Sequence, residues 1–252
     1  MNHSDLVPKY LHGQGTEIGA FKTPIPGIQS IQVDRFAEYA NERTIADYYG
    51  EASDLPFRDS SLDYVASSHV LEHSANPAQA LWEWVRVLRH QGIIYVIVPD
   101  RRLTFDHPRP LTTVSHMIDD FRAHKTQSDG THVEEFVFGV DWPAFSPGTP
   151  AEKIAEARQA AAEHYRHAVA ENKELNIHFH TFELATLRGL VEEGNRQGLW
   201  PAHIEILETA ESFPSDAPNG ILLVGRVHKP LSARIKTYFC RKGLKPTAVK
   251  FS

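Results

Sequence analysis

The sequence predicts an α/β fold built on a doubly wound, mostly parallel sheet. Residues 92–100 (GIIYVIVPD) are apolar at successive positions, which is typical of a strand buried on both faces of a parallel sheet. Upstream, residues 61–67 (SLDYVAS) alternate between apolar and polar side chains, and a helical pattern separates the two runs. Strand, helix and strand in this order indicate a βαβ unit.

The elements of the first hundred residues follow in order. Residues 15–19 (GTEIG) and 30–34 (SIQVD) are short apolar runs, and we interpret them as the first two strands. The helix between the later strands has Asn76 in a good N-cap position and Pro77 at the first helical position. Gly92 predicts the C-terminal stop of this helix.

The pattern changes after the fourth strand. Residues 101–176 read mostly as helices, including an Ala- and Glu-rich stretch from about residue 151. An insertion at this point lies over the carboxyl edge of the sheet, where it suits a lid. A helix is predicted from about Thr181, and residues 203–211 and 220–227 are predicted to form an antiparallel hairpin.

Composition narrows the class of protein. A length of 252 residues suits a single domain over residues 1–252, and the pI of about 6.2 argues against nucleic acid as the main partner. The single cysteine, Cys240, fits a reducing compartment. Because the sequence has neither a signal-peptide pattern nor a transmembrane segment, we expect a cytoplasmic protein.

The last part of the chain is basic. Residues 229–252 contain seven Lys or Arg and no Asp or Glu. We expect a solvated tail, and the alternative is a weak contact with an anionic membrane surface.

Ligands of open α/β sheets bind outside the carboxyl ends of the strands. Asp34 closes the second predicted strand, where one carboxylate can accept hydrogen bonds from both hydroxyls of a ribose. Asp54 beside Leu55 suits an adenine ring, and Gly19 permits close approach of a ligand to the backbone. The structural alternative is a turn-forming role for each of these residues.

The loop after the first strand lacks the pattern that holds a pyrophosphate. A dinucleotide site uses G-x-G-x-x-G at the start of a helix, whereas residues 20–27 (AFKTPIPG) contain two prolines. A nucleoside without phosphates therefore fits better than a dinucleotide.

These stretches together resemble the class I S-adenosylmethionine-dependent methyltransferases. The resemblance covers roughly residues 13–100 and 178–227, and the subgroup it resembles most acts in glycan and surface-polysaccharide biosynthesis. The stretches that carry it are TEIGAF (16–21), VD (33–34), SDLPFRDSSLDYVASSHVLEH (53–73), EWVRVLRHQGIIYVIVPD (83–100) and the late strand pair, with LTFDHPRPLTTVSHMIDD (103–120) and HFHTF (178–182) for the subgroup.

The resemblance implies a seven-stranded Rossmann-like sheet whose last strand is antiparallel, with S-adenosylmethionine as cofactor. It places Glu17 and Gly19 near the amino-acid part of the cofactor and Asp34 at the ribose. It places Asp54 and Leu55 at adenine, with Ser68 and His69 on the sulfonium side. The sequence departs from the family pattern in having Phe21 and Thr23 where the loop usually has glycines, and Gln91 in place of the first glycine of a pair.

Methyl transfer to oxygen or nitrogen is an in-line displacement that can require a base. We take His69, Asp106 and His116 as candidate catalytic groups. The candidate substrate-binding residues are Arg109, Thr112, Asp120, His178 and His180, with Arg109 suited to clamping an acidic group. The structural alternative for this region is a polar, ordered lid. Glu72 and His73 are expected to tie the following loop through hydrogen bonds.

His178 and His180 lie two residues apart and would share one side of a strand. With Asp106, His116 or Asp120 they would complete a site of two histidines and one carboxylate. We favour structural or substrate-facing histidines and assign no metal ligand.

The sequence therefore predicts a methyltransferase acting on an oxygen or nitrogen atom of a small-molecule or sugar acceptor. The alternatives are a non-catalytic adenosyl-ligand binder or partner subunit, and a nicotinamide-dependent oxidoreductase, which the missing phosphate loop disfavours. Metal-dependent hydrolysis through residues 178–180 is the weakest of these alternative functions. The oligomeric state stays open.

Overall fold

The computed structural model describes residues 1–39 and 41–232 of the chain. Seven strands of this part form one sheet, in the order β5-β2-β1-β6-β7-β9-β8, and β3 pairs with β4 in a small separate hairpin. The strands are β1 (Gly15–Ile18), β2 (Ile31–Asp34), β3 (Glu38–Tyr39), β4 (Glu42–Arg43), β5 (Tyr48–Tyr49), β6 (Leu62–Ser68), β7 (Leu88–Pro99), β8 (His203–Phe213) and β9 (Gly220–His228).

The first five strands of the large sheet are mutually parallel, and β9 runs antiparallel to both of its neighbours. This confirms the predicted seven-stranded, mostly parallel α/β sheet and the late antiparallel pair. Ile18 of β1 lies opposite Ser67 of β6, and Ser67 lies opposite Val96 of β7. Because the register aligns the carboxyl ends of these strands, the residues that follow them meet at one edge.

Helices cover both faces of the sheet. Buried side chains of α2, α3 and α7 pack on one face in the larger core, and Leu6 and Val7 of α1 pack on the other. The helices are α1 (His3–Tyr10), α2 (Pro77–Val87), α3 (Val114–Arg122), α4 (Val133–Gly139), α5 (Trp142–Phe145), α6 (Ile154–Ala170) and α7 (Leu184–Gln197), with 3₁₀ turns at Leu71–His73, Arg101–Leu103 and Ala151–Lys153.

Helix α2 begins as its sequence predicts and ends earlier. The Asn76 side chain accepts a hydrogen bond from the Gln79 N–H at 3.0 Å, which is the expected N-cap. The predicted stop at Gly92 is wrong, because the chain turns extended at Leu88 and pairs there with Leu62. Gln91, with a φ of +68°, takes the left-handed conformation in this irregular start of β7.

The helical segment between β7 and α7 has two parts. Met117 and Ile118 of α3 belong to the main core, so α3 is a layer helix of the sheet. Helices α4 to α6 enclose a separate core with Phe136, Trp142 and Phe179 among its buried side chains. The predicted lid over residues 101–176 therefore begins with a helix that packs on the sheet, and its covering role stays a prediction.

The start of the basic tail is not solvated, contrary to our expectation. Lys229 is buried, and its ammonium group donates to the Ser60 hydroxyl at 2.7 Å and to the Arg86 carbonyl at 2.9 Å. Residues 233–252, which include Cys240 and most of the tail to which the alternative membrane contact was assigned, lie outside the described residues. None of the helices described is both long and apolar enough to cross a bilayer.

Candidate functional site

A cleft opens at the carboxyl ends of β1, β2 and β6. Of the residues predicted to bind a cofactor, Gly19, Asp34 and His69 line it. The other lining residues are Ile18, Phe21, Arg35, Phe36, Gly50, Glu51, Ala52, Ser53, Val70, His73, Ser74, Gln127 and Asn176.

The Asp34 carboxylate lies at the end of β2 and is 7% exposed. One oxygen accepts from the Phe21 N–H at 3.3 Å and the other from the Phe36 N–H at 3.0 Å. A carboxylate has about four acceptor positions, so capacity remains for two ligand hydroxyls. The geometry of Asp34 thus suits the predicted ribose contact.

The backbone bends sharply on both sides of the cleft. Gly19 has a φ of +71°, and a Cβ at this position would lie 2.4 Å from Cγ2 of Val70. Phe21 and His69 take left-handed φ angles of 51° and 54° although neither is glycine. Such conformations cluster at ligand sites, where the surrounding structure holds them. The loop therefore adopts its bend with Phe21 in the place where the family pattern has glycine.

Four predicted cofactor residues lie outside the cleft lining. Glu17 is buried, and its carboxylate accepts from the Ile25 N–H at 2.8 Å, so it holds the loop that follows β1. Burial raises the pKa of Glu17. Leu55 packs in the main core, Asp54 is exposed, and Ser68 ends β6 just before His69.

Ala52 and Ser53 stand where the sequence placed Asp54 and Leu55. The Leu55 N–H donates to Glu83 at 2.7 Å, which turns the Leu55 side chain into the core and leaves the preceding backbone at the cleft. The cleft is thus lined by residues two positions earlier than the sequence suggested. The cause is the hydrogen bond to Glu83 on α2, 28 positions after Leu55, which no local sequence pattern indicates.

Sequence reasoning also missed Arg35. Its guanidinium lies 3.0 Å from the carboxylate of Glu51, which lines the cleft, and 2.8 Å from that of Glu174, so it links the cleft wall to the segment that follows α6. The position directly after Asp34 is the one signal that could have suggested it.

A second cavity adjoins the cleft. The two share His73 and Asn176 in their linings. Aromatic rings dominate the second cavity, which lies beneath α5 and α6, and its polar lining includes His178 and Glu174. The remaining lining residues are Phe105, Phe136, Phe145, His164, Tyr165, Ala168, Leu175 and Ile177.

His178 is held from behind by Asp106. Its Nδ1 lies 2.5 Å from one Asp106 oxygen, and the other oxygen accepts from Arg109 at 2.7 Å. Burial alone would raise the pKa of Asp106, but the contacts with His178 and Arg109 outweigh it and hold that pKa below its usual value. Asp106 is thus an anionic partner that orients the imidazole.

Arg109 and Thr112, predicted to bind substrate, lie outside the lining of both cavities. Arg109 is buried and pairs with Glu135 at 3.0 Å as well as with Asp106. The Thr112 hydroxyl accepts from the Thr181 N–H at 3.0 Å, which ties the insertion to the start of α7. Both positions support the site from outside.

His69 and His73 both line the cleft, and His73 also lines the second cavity, next to His178. Burial, together with the charge of His178, lowers the pKa of His69. The same two causes, burial first, lower the pKa of His73 to about 3. The His73 ring packs edge-on against His178 with a centroid distance of 4.6 Å. Both side chains are therefore neutral at physiological pH.

A third group of polar residues lies apart from both linings. His116, Asp120, His132 and His180 bring one ligand-capable atom each within 4.8 Å of one another. His116 and Asp120 share a face of α3, as their spacing predicts, with Nε2 and Oδ2 3.3 Å apart. His178 and His180 thus belong to different groups and do not form the shared site that a strand would have produced.

Comparison with known proteins agrees with the sheet and the cleft. Residues 14–96, about a third of the chain, match the family described as a methyltransferase domain. Residues 14–96 are therefore similar to a methyltransferase domain. S-adenosylmethionine is the cofactor that such a domain implies.

Two curated relatives match part of this chain. An uncharacterized 37.1 kDa protein from a transposon of Streptomyces fradiae is 37% identical over 106 residues, which are 38% of this chain and 31% of that protein. An uncharacterized protein of Methanocaldococcus jannaschii is 32% identical over 100 residues, 38% of this chain and 47% of that protein. The chain thus spans less than half the length of each relative.

Solved structures with a similar fold include two methyltransferases. One, from Thermotoga maritima and described as a possible histamine N-methyltransferase, is 18% identical with a TM-score of 0.46 over 89% of this chain and 87% of that one. Another, from Methanosarcina mazei, is 13% identical with a TM-score of 0.47 over 91% of this chain and all of the other.

The residues at the cleft fit an adenosyl group. Asp34 keeps free acceptor positions at the end of β2, and Gly19 lines the cleft without a side chain. Ala52 and Ser53, whose side chains are small, also line it. These residues would hold the ribose and adenine, and His69 would lie on the side facing the second cavity.

Proposed function

We propose that this protein is an S-adenosylmethionine-dependent methyltransferase that modifies an oxygen or nitrogen atom of a small-molecule or sugar acceptor. The observation that carries the proposal is the meeting of two cavities at His73 and Asn176. One cavity has the features of an adenosyl site, and the other has a histidine backed by a carboxylate. A donor and an acceptor bound in them would meet at the shared wall.

The lining of the second cavity supports a ring-shaped acceptor. Phe105, Phe136 and Tyr165 offer flat apolar surfaces, while Asn176 and Glu174 offer hydrogen-bonding groups. Sugars present this combination of an apolar ring face and polar edges. This chemistry agrees with the resemblance to methyltransferases of glycan biosynthesis, and we propose a glycan or glycan precursor as the acceptor class.

The cofactor, when bound, would supply a methyl group on a sulfonium. The acceptor atom would attack this carbon in line, and the carbon–sulfur bond would break so that the sulfur leaves as the thioether of S-adenosylhomocysteine. His178 is the base in our proposal. Because its Nδ1–H points to Asp106, its Nε2 is the atom that would accept the proton from an acceptor hydroxyl or amine. Asp106 stabilises the imidazolium that forms. His69, which we predicted to be catalytic, is proposed instead to line the donor side of the passage.

Calorimetry with S-adenosylmethionine tests the donor cleft. Asp34→Ala should weaken binding by about 1–3 kcal/mol, because ligand hydroxyls lose their acceptor on desolvation. Asp216→Ala, which removes an exposed carboxylate, is the matched control and should bind like the wild type. Unchanged affinity in Asp34→Ala would reject the ribose assignment.

Turnover with labelled S-adenosylmethionine and a panel of sugars and sugar nucleotides tests the acceptor side. His178→Ala should reduce kcat by about 10²–10⁴-fold, the usual contribution of a general base, without changing cofactor affinity. His167→Ala, on the exposed face of α6, should leave turnover unchanged. A protein that binds the cofactor and methylates no compound of any class would instead support the non-catalytic alternative.

We further propose a cytoplasmic location. The support is the single cysteine of the sequence, which fits a reducing compartment. Fractionation of the native host followed by immunodetection would test it.

A further inference from the structure

The group formed by His116, Asp120, His132 and His180 is drawn from three separate parts of the fold. His116 and Asp120 lie on α3, His132 immediately precedes α4, and His180 lies in the segment before α7. His180 is fully buried, and Asp120 and His132 are 4% and 6% exposed. Three histidines around one buried carboxylate are costly to desolvate, so an additional interaction is expected to stabilise them.

The spacing of the four side chains matches a tetrahedral metal site. Zn²⁺ binds nitrogen and oxygen at about 2.0–2.1 Å, which places neighbouring ligand atoms of a tetrahedron about 3.3 Å apart. Here Nε2 of His116 lies 3.1 Å from Nε2 of His132 and 3.3 Å from Oδ2 of Asp120. Nε2 of His180 lies 3.7 Å from the same Asp120 oxygen.

Two polar atoms of the group, Oδ2 of Asp120 and Nδ1 of His180, have no hydrogen-bond partner among the residues described, whereas Nε2 of His180 lies 3.5 Å from the Ala75 carbonyl oxygen. Oδ2 of Asp120 is buried, and two imidazoles face it. Buried carboxylate oxygens are normally bonded, and an exception requires an explanation such as an ion. A cation between the rings and the carboxylate would supply the missing partner.

The surroundings of the group also suit a metal. Nδ1 of His132 faces Glu135 at 3.8 Å. A carboxylate behind a ligating histidine is a common outer partner in metal sites.

We propose that His116, Asp120, His132 and His180 bind one divalent transition-metal ion, with Zn²⁺ as the first candidate. Three imidazoles and one carboxylate favour Zn²⁺ and its neighbours over Mg²⁺ or Ca²⁺, which prefer oxygen ligands. Four protein ligands around one ion make a closed site, which is the structural rather than the catalytic type. The ion would fasten the helical insertion to α3 and to the segment before α7.

The proposed set differs from the one that the sequence suggested. His178 is engaged by Asp106 and lines the second cavity, so it is not a member. His132, which no sequence pattern had singled out, takes its place. None of its four residues lines either cavity, so metal binding can be tested without assuming the methyl-transfer proposal.

The test uses the full-length, untagged protein. Elemental analysis of the purified wild type should find about one equivalent of zinc or another divalent transition metal per chain. After removal of metal with a chelator, titration of Zn²⁺ against a chromogenic competitor should recover one tight site. A free zinc concentration about 100 times Kd should raise Tm by roughly 5–10 °C.

His116→Ala is the decisive variant, because the His116 side chain is 45% exposed and its loss is compatible with folding. Loss of a ligand should weaken zinc binding by more than about 100-fold, since loss of an outer partner alone costs about 10–100-fold. His167→Ala, an exposed histidine on α6, should bind like the wild type.

The proposal is overturned if the stripped wild type binds zinc no more tightly than His116→Ala. It is also overturned if wild type and His116→Ala retain the same metal content, because the ion would then lie elsewhere. If zinc leaves the wild-type Tm unchanged, the structural role is wrong. In that case the short distance between His116 and His132 is a direct hydrogen bond between two imidazoles.

Discussion

Glu72 is a buried carboxyl group. It lies in the middle of the 3₁₀ turn after β6 and is 1% exposed, and neither of its carboxylate oxygens has a hydrogen-bond partner on another of the residues described. Burial, with a smaller contribution from the charge of Asp106, raises the pKa of Glu72 to about 8. At neutral pH the folded protein therefore keeps this carboxyl mostly protonated.

The stability of the fold must then depend on pH. Below the ordinary pKa of 4.5, both folded and unfolded chains hold the proton. Between 4.5 and about 8 the unfolded chain releases it while the folded chain retains it, so stability falls as pH rises. At about 1.4 kcal/mol per pH unit, this group alone reduces the free energy of unfolding by about 3 kcal/mol between pH 5 and pH 8.

Glu72→Gln keeps the shape of the side chain and removes its titration. The difference in unfolding free energy between this variant and the wild type should grow by about 3 kcal/mol in favour of the variant from pH 5 to pH 8. For a chain of this size that is roughly 6–12 °C in Tm. Thermal unfolding followed by circular dichroism across this range measures it.

Other titrating groups behave alike in the two proteins and cancel in the difference. Glu163→Gln, at an exposed position of α6, should show no such growth. A difference between Glu72→Gln and wild type that does not change with pH would refute the reasoning, because it would mean that Glu72 ionises normally in the folded state.

Two further substitutions test local features of the fold. Gly19→Ala should lower the free energy of unfolding, measured in urea, by at least about 1–2 kcal/mol, because the new side chain would stand at a left-handed φ and its Cβ would be in close contact with Val70. Gly148→Ala is the control. A Cβ there has no neighbour within 4 Å, so its free energy of unfolding should stay within about 0.5 kcal/mol of wild type. Burial lowers the pKa of Lys229, bonded to Ser60, to about 8, so wild-type stability should rise by about 2 kcal/mol from pH 8 to pH 10 relative to Lys229→Met. Denaturant titrations at the two pH values check this, and parallel behaviour of wild type and Lys229→Met would contradict it.

The features that the sequence could predict are those that depend on residues close together in the chain. The N-cap at Asn76 needs only the Gln79 N–H three positions later. Gly19, Asp34 and His69 reach the cleft because they follow strands whose carboxyl ends meet at one edge. Strand order and hydrophobic pattern are enough to place such residues.

What the sequence could not predict depends on distant contacts. The backbone N–H of Leu55 donates to Glu83, and the Leu55 side chain lies in the core. The Arg35 guanidinium donates to Glu174, which is 139 positions away in the sequence. The end of α2 at Val87 follows from strand pairing at Leu88 rather than from Gly92. No local pattern contains these partners.

The divergence of His178 and His180 has a specific backbone cause. In a regular strand, successive N–H groups point to opposite sides. Here the N–H groups of Phe179 and His180 both donate to the Glu72 carbonyl, at 2.8 and 3.3 Å, so the chain bends and the two histidines enter different groups. Phe179 between them is buried in the core of the insertion.

Residues 178–180 link the proposed metal ligand His180 to the proposed base His178. Because two backbone bonds and the buried Phe179 hold the segment, displacement of His180 should also displace His178 from Asp106. His116→Ala touches neither cavity, yet it should lower kcat while leaving the affinity for S-adenosylmethionine unchanged. An equal loss of cofactor affinity would show that the metal site instead supports the donor cleft, and unchanged kcat in a zinc-free variant would show that the two groups act independently.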